Sequence, residues 1–244
     1  MNKLNSAKFS IIDGDNICEV NERLLRAAAV FSHSQTKEIP SIFVIVPDRF
    51  TLQAEKIITG FVPNLLGVRV VTFSMLFNIL HSESDVKVLD KTSAVLFMWK
   101  AIQSVKGELV YFGNSSDQYA FSEKMFNTVN QLTSCNADFE TLEKNAKSNV
   151  TKRKMHDISI IQSMYKELTK GYIDGAGMLD WLINNAVKSE IVKNAHVYMT
   201  GFEYLSVQRE EVMRKLIAVA KSFTIGVQTD GELMKVLNEI RFAM

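Results

Sequence analysis

A chain of 244 residues can form one sizeable core or a domain with an insertion, because single hydrophobic cores stop growing near ~250–300 residues. Hydrophobic residues make up 47% of the chain and charged residues 23%, which excludes a disordered polypeptide. Lysines and arginines total 28 against 27 aspartates and glutamates, so no global positive field attracts nucleic acid or an anionic membrane. Any nucleic-acid contact must rest on a local patch.

The cysteines and the apolar runs predict the compartment. Cys18 and Cys135 stand far apart, without CxxC spacing or nearby histidines, which favours neither a disulfide framework nor a zinc site. Residues 1–10 lack the apolar run of a secretory signal, and the longest apolar runs, such as Ser41–Val46, are too short to span a bilayer. We therefore predict a cytoplasmic protein without a membrane partner.

The first third of the chain predicts alternating strands and helices. Residues 8–12 form a short apolar run that ends at a turn cluster, and Glu19–Ser32 repeats apolar residues at helical spacing. Continuous β-branched and aromatic runs at Ile42–Val46 and Val68–Phe73 predict strands buried on both faces, as in a parallel sheet. The intervening residues Thr51–Thr59 predict a helix.

Helical periodicity then replaces the strand-like runs from Ser74 to Ala195. Strands return at His196–Thr200 and Phe223–Gln228, and they flank a helix over Ser206–Lys221 that its first residue could N-cap. A last helical stretch covers Glu232–Ala243. These patterns predict an α/β fold with a parallel sheet core over residues 1–82 and 195–244 and a large all-helical insertion over residues 83–194.

The turn after the first strand occupies the usual place of a phosphate-binding P-loop, where glycines and a Lys-Ser/Thr pair hold phosphate and Mg²⁺. The segment has one glycine, no lysine and three carboxylates, and the negative charges would repel a triphosphate. We predict a strand-to-helix turn whose acids complement the helix dipole, and no cofactor. The residues of this degenerate nucleotide loop are Asp13, Gly14, Asp15, Asn16, Ile17, Cys18 and Glu19.

The end of the strand at His196–Thr200 is the place of the acidic pair that holds Mg²⁺ in nucleotide-hydrolysing proteins. Thr200 and Gly201 stand there and cannot replace a carboxylate pair, and Glu203 follows three residues after Thr200. Two independent losses predict a fold without metal binding or ATP hydrolysis.

Four segments, in order along the chain, resemble the N-terminal region of the B subunit of bacterial ATP-dependent helicase-exonucleases, the AddB or RexB family. The last one is similar to the family's strand that ends in Asp-Gly-Phe with a downstream Gln-Glu. The segments are 40–55 (PSIFVIVPDRFTLQAE), 70–76 (VVTFSML), 155–165 (MHDISIIQSMY) and 195–210 (AHVYMTGFEYLSVQRE).

The resemblance implies a P-loop helicase-like core of the superfamily 1 type, a role in DNA double-strand break repair and recombination, and an A subunit as partner in a heterodimer. The chain departs from the family pattern in three ways. The Gly-Lys-Thr of the loop is replaced around Ile17–Glu19, the strand-end Asp is Thr200, and the nuclease region is absent from these residues. ATPase and nuclease activity are therefore not expected of this chain alone. A DNA-binding or scaffold role is expected instead.

By position, the resemblance implies contacts to single-stranded DNA after the second and third strands. A guanidinium can pair with a phosphate, hydroxyl and backbone N–H groups can do the same, and an aromatic ring can stack on a base. The alternatives are a surface charge for Arg49 and a buried strand end for Phe73. The candidate DNA-binding residues are Arg49, Phe50, Thr51, Thr72, Phe73 and Ser74.

Two other functions stay open at the level of sequence. One is a working nucleotide-dependent helicase/nuclease subunit that recruits Asp13, Asp15 and Glu203 in place of the missing carboxylates. The other is a freestanding, truncated domain that binds another protein. Residues 152–154 form a basic run that is either solvated or a phosphate contact, and His156-Asp157 lacks further ligands at metal-binding spacing.

Overall fold

The computed structural model describes residues 9–34, 39–62, 66–82, 86–135 and 137–243. The chain folds as two compact units, the first made of Met1–Glu83 with Leu179–Met244 and the second of Ser84–Met178. The domain division predicted above, at 82/83 and 194/195, stays a prediction.

Strands and helices alternate through the first unit, and helices dominate the second. The strands are β1 (Phe9–Gly14), β2 (Ser41–Ile45), β3 (Val68–Val71), β4 (Lys87–Val88), β5 (Tyr172–Ile173), β6 (Ala195–Met199) and β7 (Ser222–Gln228). The helices are α1 (Ile17–Ser34), α2 (Thr51–Phe61), α3 (Phe73–His81), α4 (Lys91–Ser104), α5 (Tyr119–Ser134), α6 (Phe139–Lys144), α7 (Asn149–Leu168), α8 (Gly175–Asn185), α9 (Glu190–Lys193), α10 (Val207–Val219) and α11 (Glu232–Ala243).

The first unit is built on a five-stranded parallel sheet in the order β1-β7-β6-β2-β3. This confirms the predicted α/β class and parallel sheet. Alternate residues along and just after β2 face α1 and α2, where Ile42, Val44 and Val46 are fully buried. Leu24 and Ile58 from the two helices join the same core, and truncating either side chain to alanine would cost about 2–5 kcal/mol.

The predicted strand over Val68–Phe73 is too long by two residues. Strand β3 ends at Val71, and Phe73 is the first residue of α3. The reason is local capping, because the Thr72 side chain accepts a hydrogen bond from the Met75 N–H and satisfies a free donor of the helix. The predicted first strand is confirmed from Phe9 onward, and Lys8 lies outside the described residues.

Helix α10 begins one residue later than predicted. Ser206 occupies the N-cap position, but its side chain makes no capping hydrogen bond, and its Oγ is buried without a hydrogen-bond partner among the described residues. Gln208 in the first turn is also buried, and its Nε2 donates to Asp180 Oδ1 at 2.7 Å.

His196 lies on the face of β6 that meets α1. Its ring packs against Phe31 with centroids 4.5 Å apart, and Nδ1 shares a hydrogen bond of 2.7 Å with Ser222 Oγ. Burial, and then the charge of Lys221, lower the pKa of His196 from its usual value. Burial also raises the pKa of Tyr198.

The second unit confirms the helical periodicity predicted for this part of the chain. Its core is formed by α4, α5 and α7, with Met98, Met125 and Ile161 buried between them. The exception is the parallel pairing of β4 with β5, two residues each. None of the helices that the structure describes combines the length and the apolar character needed to cross a membrane.

Candidate functional site at the carboxyl edge of the sheet

The candidate residues predicted from the sequence follow four of the five strands at their carboxyl ends. All pairings within this sheet are parallel, so the carboxyl ends of its strands lie along one edge, which we call the carboxyl edge. The fold therefore gathers the segments after β1, β2, β3 and β6, although they are distant in sequence. Open parallel α/β sheets bind their ligands at this edge.

The turn after β1 contains only Asp15 and Asn16 before α1 begins at Ile17. Asn16 caps the helix, because its Oδ1 accepts a hydrogen bond from the Cys18 N–H at 2.9 Å and its carbonyl accepts from the Val20 N–H at 3.0 Å. One of the first N–H groups of α1, which would face the anion in a phosphate site, is therefore bonded within the turn.

Two carbonyl groups at the same turn accept hydrogen bonds from side chains. Arg23 Nη1 donates to the Asp13 carbonyl at 3.1 Å, and Gln228 Nε2 donates to the Asp15 carbonyl at 3.1 Å. The side chains of Asp13, Asp15 and Glu19 are exposed. Three carboxylates thus face solvent around a short turn that α1 and the end of β7 fix in place.

A buried hydrogen bond joins the end of β6 to α1. Thr200 Oγ1 donates to Asn21 Oδ1 at 2.6 Å, and both side chains are buried. The bond passes over β7 at Gly226, where an added Cβ would lie 2.6 Å from Thr200 Oγ1, 3.1 Å from Val20 and 3.2 Å from Leu24. The strand end that the resemblance assigns to a metal-binding carboxylate therefore carries a neutral hydroxyl bonded to an amide.

Asn21 and Gly226 are not among the residues that the sequence pattern singles out. A signal exists for both. Asn21 shares a helical face with Leu24, Leu25 and Ala28, so it places a polar group on the apolar side of α1. Gly226 interrupts a strand, which marks a close approach of another group.

An ion pair connects the segments after β2 and β6. Arg49 Nη2 lies 3.2 Å from Glu203 Oε1, with 74% and 72% of the two side chains exposed. Gly201 has a φ of 83° and lies against Pro47 and Phe50, each 3.0 Å from where a Cβ would stand. Only glycine fits this backbone conformation and approach. An exposed pair of this kind contributes about 0.2–1 kcal/mol, so Arg49 can exchange it for another anion.

The segment after β3 uses its hydroxyl groups for helix capping. Thr72 Oγ1 accepts from the Met75 N–H at 3.2 Å and shares a 2.9 Å hydrogen bond with Ser74 Oγ. Thr72 is buried and Ser74 is exposed. Ser74 is therefore the hydroxyl of this segment that a ligand can reach.

Phe73 is buried, with its ring 5.7 Å from that of Phe202 and 5.8 Å from the guanidinium carbon of Arg209. The prediction that Phe73 stacks on a base is not tested by this arrangement, and it requires the ring to leave these contacts. The contact with Phe202 ties the segments after β3 and β6 together.

The candidate residues differ in what they offer to a ligand. Arg49 and Ser74 are exposed, and Phe50 and Thr51 are half-buried. Tyr204, which the sequence pattern does not single out, is 75% exposed directly after the Glu203 of the ion pair. The carboxyl edge thus presents a cation, a hydroxyl and an aromatic ring from three different segments.

Within the described ranges, no group of three or more histidine, cysteine, aspartate or glutamate side chains could hold a metal ion. The acids near this edge belong to different segments. Asp13 belongs to the end of β1 and Asp15 to the turn after it, whereas Glu203 is paired with Arg49.

A parallel sheet with helices between its strands, and with polar residues from several loops at one edge, defines the first unit as an open α/β domain. The chain belongs to the family of AddB N-terminal domains. The family model described as "ADDB, N-terminal" matches residues 27–240, which confirms the resemblance inferred from the four segments.

Two relatives illustrate the similarity. The chain is 26% identical over 210 residues to the B subunit of the ATP-dependent helicase/deoxyribonuclease of Clostridioides difficile (strain 630), which covers 81% of this chain and 18% of that protein. It is 29% identical over 203 residues to the protein of the same name from Staphylococcus aureus (strain JH9), covering 78% of this chain and 17% of that protein. The chain spans less than a fifth of the length of these curated relatives.

Proposed function

We propose that this chain is a helicase-like domain with degenerate nucleotide motifs that binds single-stranded DNA at the carboxyl edge of its sheet and serves as a scaffold. In this proposal it acts with an A-type subunit in a helicase-exonuclease engaged in DNA double-strand break repair and recombination. The names of its relatives, which are B subunits of ATP-dependent helicase/deoxyribonucleases, support this setting.

The geometry of the first turn supports the absence of nucleotide binding. A phosphate loop needs several consecutive N–H groups pointing at the anion, but two residues between β1 and α1 leave little backbone to supply them, and Asn16 occupies the Cys18 N–H. The exposed carboxylates of Asp13 and Asp15 would also repel the phosphates of a nucleotide. Two like unit charges 4 Å apart in water repel each other by about 1 kcal/mol. Because Thr200 is neutral and bonded to Asn21, this strand end offers Mg²⁺ no carboxylate.

The observation that carries the DNA-binding proposal is the joining of the segments after β2, β3 and β6 into one surface. The Arg49–Glu203 pair and the Phe73–Phe202 contact link them. Arg49 is exposed and held by a weak pair, so a DNA phosphate can compete for its guanidinium. Half-buried Phe50 and exposed Ser74 lie in the same linked segments and add a ring edge and a hydroxyl.

The test is an anisotropy titration with labelled single-stranded DNA at several salt concentrations. Arg49→Gln should weaken binding and reduce the magnitude of the slope of log K against log salt by about 0.7, the value for one phosphate contact of a single strand. Lys193→Gln is the matched control, since Lys193 is an exposed cation paired with Glu190 at 2.6 Å just before β6, at the opposite edge of the sheet. It should leave the slope unchanged.

Binding should be measured for the chain alone and with the partner subunit. Absence of binding in both cases, or equal slopes for the wild-type chain and Arg49→Gln, would refute the DNA-binding proposal. A separate calorimetric titration with Mg²⁺-ATP should show no heat of binding, and a saturable signal would refute the degenerate-motif proposal.

A further inference from the structure

A second surface with the chemistry of a nucleic-acid contact lies in the second unit, where the segment 109–112 crosses α7. Asp157 of α7 is fully buried, and its carboxylate accepts three backbone hydrogen bonds from this segment. The Val110 N–H reaches Oδ1 at 2.9 Å, and the N–H groups of Tyr111 and Phe112 each reach Oδ2 at 2.8 Å. Charge-assisted bonds to three consecutive N–H groups hold the segment in one conformation.

This arrangement presents an aromatic ring to solvent. Tyr111 is 44% exposed, and its neighbour Phe112 is anchored by Phe121, with ring centroids 5.2 Å apart. The Tyr111 and Phe112 rings meet edge to face at 5.0 Å, which orients the exposed ring. Because the backbone and the neighbouring ring are fixed, Tyr111 would lose little conformational entropy when a ligand stacks on it.

Cations accompany the ring. Lys154 Nζ lies 4.8 Å from the Tyr111 ring centroid, a cation–π contact. Positions 150, 153, 154 and 157 are spaced as one helical face, so Arg153 lies on the side of α7 that carries Lys154 and the segment 109–112. Each residue of an α-helix is rotated about 100° from the one before it, so Lys152 points away from that face.

Acids of the second unit have partners other than these two cations. The Asp157 carboxylate is engaged by three N–H groups, Asp117 is paired with Lys106 at 2.7 Å, and Glu143 lies 3.5 Å from His156. Among the described residues, neither Arg153 nor Lys154 forms a salt bridge.

We propose that Tyr111, Arg153 and Lys154 form a contact for single-stranded nucleic acid that is separate from the carboxyl edge of the sheet. A base stacks on the exposed face of Tyr111, and the adjacent phosphate pairs with Arg153 or Lys154. An aromatic ring beside cations that form no salt bridge within the described part of the chain is a combination that suits single strands, since bases need a flat partner and phosphates a positive charge. An acidic peptide would use the cations but would gain nothing from stacking.

The experiment uses the full 244-residue chain and a labelled oligothymidylate of about 12 nucleotides, within the length that single-strand sites cover. Arg153→Gln should reduce the magnitude of the salt slope by about 0.7. Lys152→Gln removes the same charge from the adjacent residue and should leave the slope unchanged. Equal slopes for the Arg153 and Lys152 variants would overturn the proposal.

Stacking is tested separately from charge. Tyr111→Leu should weaken binding about 5- to 150-fold, which corresponds to 1–3 kcal/mol for one stacked base, without altering the salt slope. Tyr111→Phe should bind as the wild type does. An abasic strand with the same phosphates should bind the wild type and Tyr111→Leu equally well. If Tyr111→Leu and the wild type bind the normal strand equally, the surface does not take single-stranded nucleic acid, and the proposal fails.

This proposal and the one for the carboxyl edge can be refuted separately. Arg49→Gln tests the surface of the first unit, and Arg153→Gln tests the surface of the second unit. All variants should keep the circular dichroism spectrum and thermal midpoint of the wild type, since the substituted side chains are at least partly exposed.

Discussion

Gly226 provides a sharp test of the buried link between β6 and α1. An alanine at this position would place its Cβ 2.6 Å from Thr200 Oγ1, a distance that real Cβ atoms do not tolerate. The Val20 and Leu24 side chains, at 3.1 Å and 3.2 Å from the same Cβ, would each have to shift by a few tenths of an ångström as well. The substitution must therefore push Thr200 away from Asn21 and break their 2.6 Å hydrogen bond.

The magnitude follows from three contributions. Separating the pair leaves the Asn21 oxygen buried without a donor, at a cost of about 1–3 kcal/mol. Overpacking adds about 1–3 kcal/mol, and the reduced entropy of the unfolded chain returns about 0.4–1 kcal/mol. We expect Gly226→Ala to lower the free energy of unfolding of the first unit by about 1–6 kcal/mol, with the middle of that range near 3 kcal/mol.

The assay is urea unfolding followed by the fluorescence of Trp181, which lies in the first unit, in a Trp99→Phe background that removes the other of the two tryptophans. Gly60→Ala is the control, because nothing lies within 4 Å of its added Cβ, and alanine is favoured over glycine in a helix by up to about 1 kcal/mol, here in the last turn of α2. That variant should be more stable than the wild type.

A double-mutant cycle isolates the cause. Thr200→Ala removes the same hydrogen bond and also the atom that the new Cβ on β7 would contact. The loss in free energy of unfolding of the double variant should therefore be smaller, by at least ~1 kcal/mol, than the summed losses of the two single variants. Strictly additive losses, or a Gly226→Ala variant within about 0.5 kcal/mol of the wild type, would refute the packing argument.

Three further outcomes are expected. Glu203→Gln should raise the affinity for single-stranded DNA about 1.4- to 5-fold, because it releases Arg49 from a pair that contributes about 0.2–1 kcal/mol; weaker binding in the anisotropy titration would contradict this. Burial and Lys221 lower the pKa of folded His196, so the unfolded chain takes up the proton first, and stability falls as pH decreases below about 6.5 toward that lowered pKa. The urea midpoint of the wild type should be lower at about pH 5.5 than at about pH 7.5, and this difference should be smaller for His196→Asn. Equal differences in the two proteins would refute the assignment of the effect to His196. Asp157→Asn should destabilise the second unit by about 2–4 kcal/mol in the same type of titration, because one amide oxygen cannot replace two carboxylate oxygens facing three N–H groups; an unchanged midpoint would show that the segment 109–112 is held in another way.

Much of the fold could be predicted from local patterns. The β-branched run at Ile42–Val46 and the helical repeat of α1 are features of consecutive residues. The run reflects burial on both faces of the sheet, and the repeat reflects burial of one helical face. The order of four short segments was enough to predict the family, which the match over residues 27–240 confirms. The end of β3 was predicted wrongly, because the capping chemistry of Thr72 outweighs the strand propensity of the apolar run around it.

The amino-acid sequence by itself determined the α/β alternation, the helical block, the absence of a lysine from the first turn and the threonine at the end of β6. Tertiary structure alone decided that Thr200 bonds to Asn21 over Gly226, that Arg49 meets Glu203, and that Tyr111 is held over α7 by Asp157. The reason is physical. Periodicity and capping act between residues a few positions apart, whereas these contacts join residues 46 to 179 positions apart whose distance depends on strand register and packing.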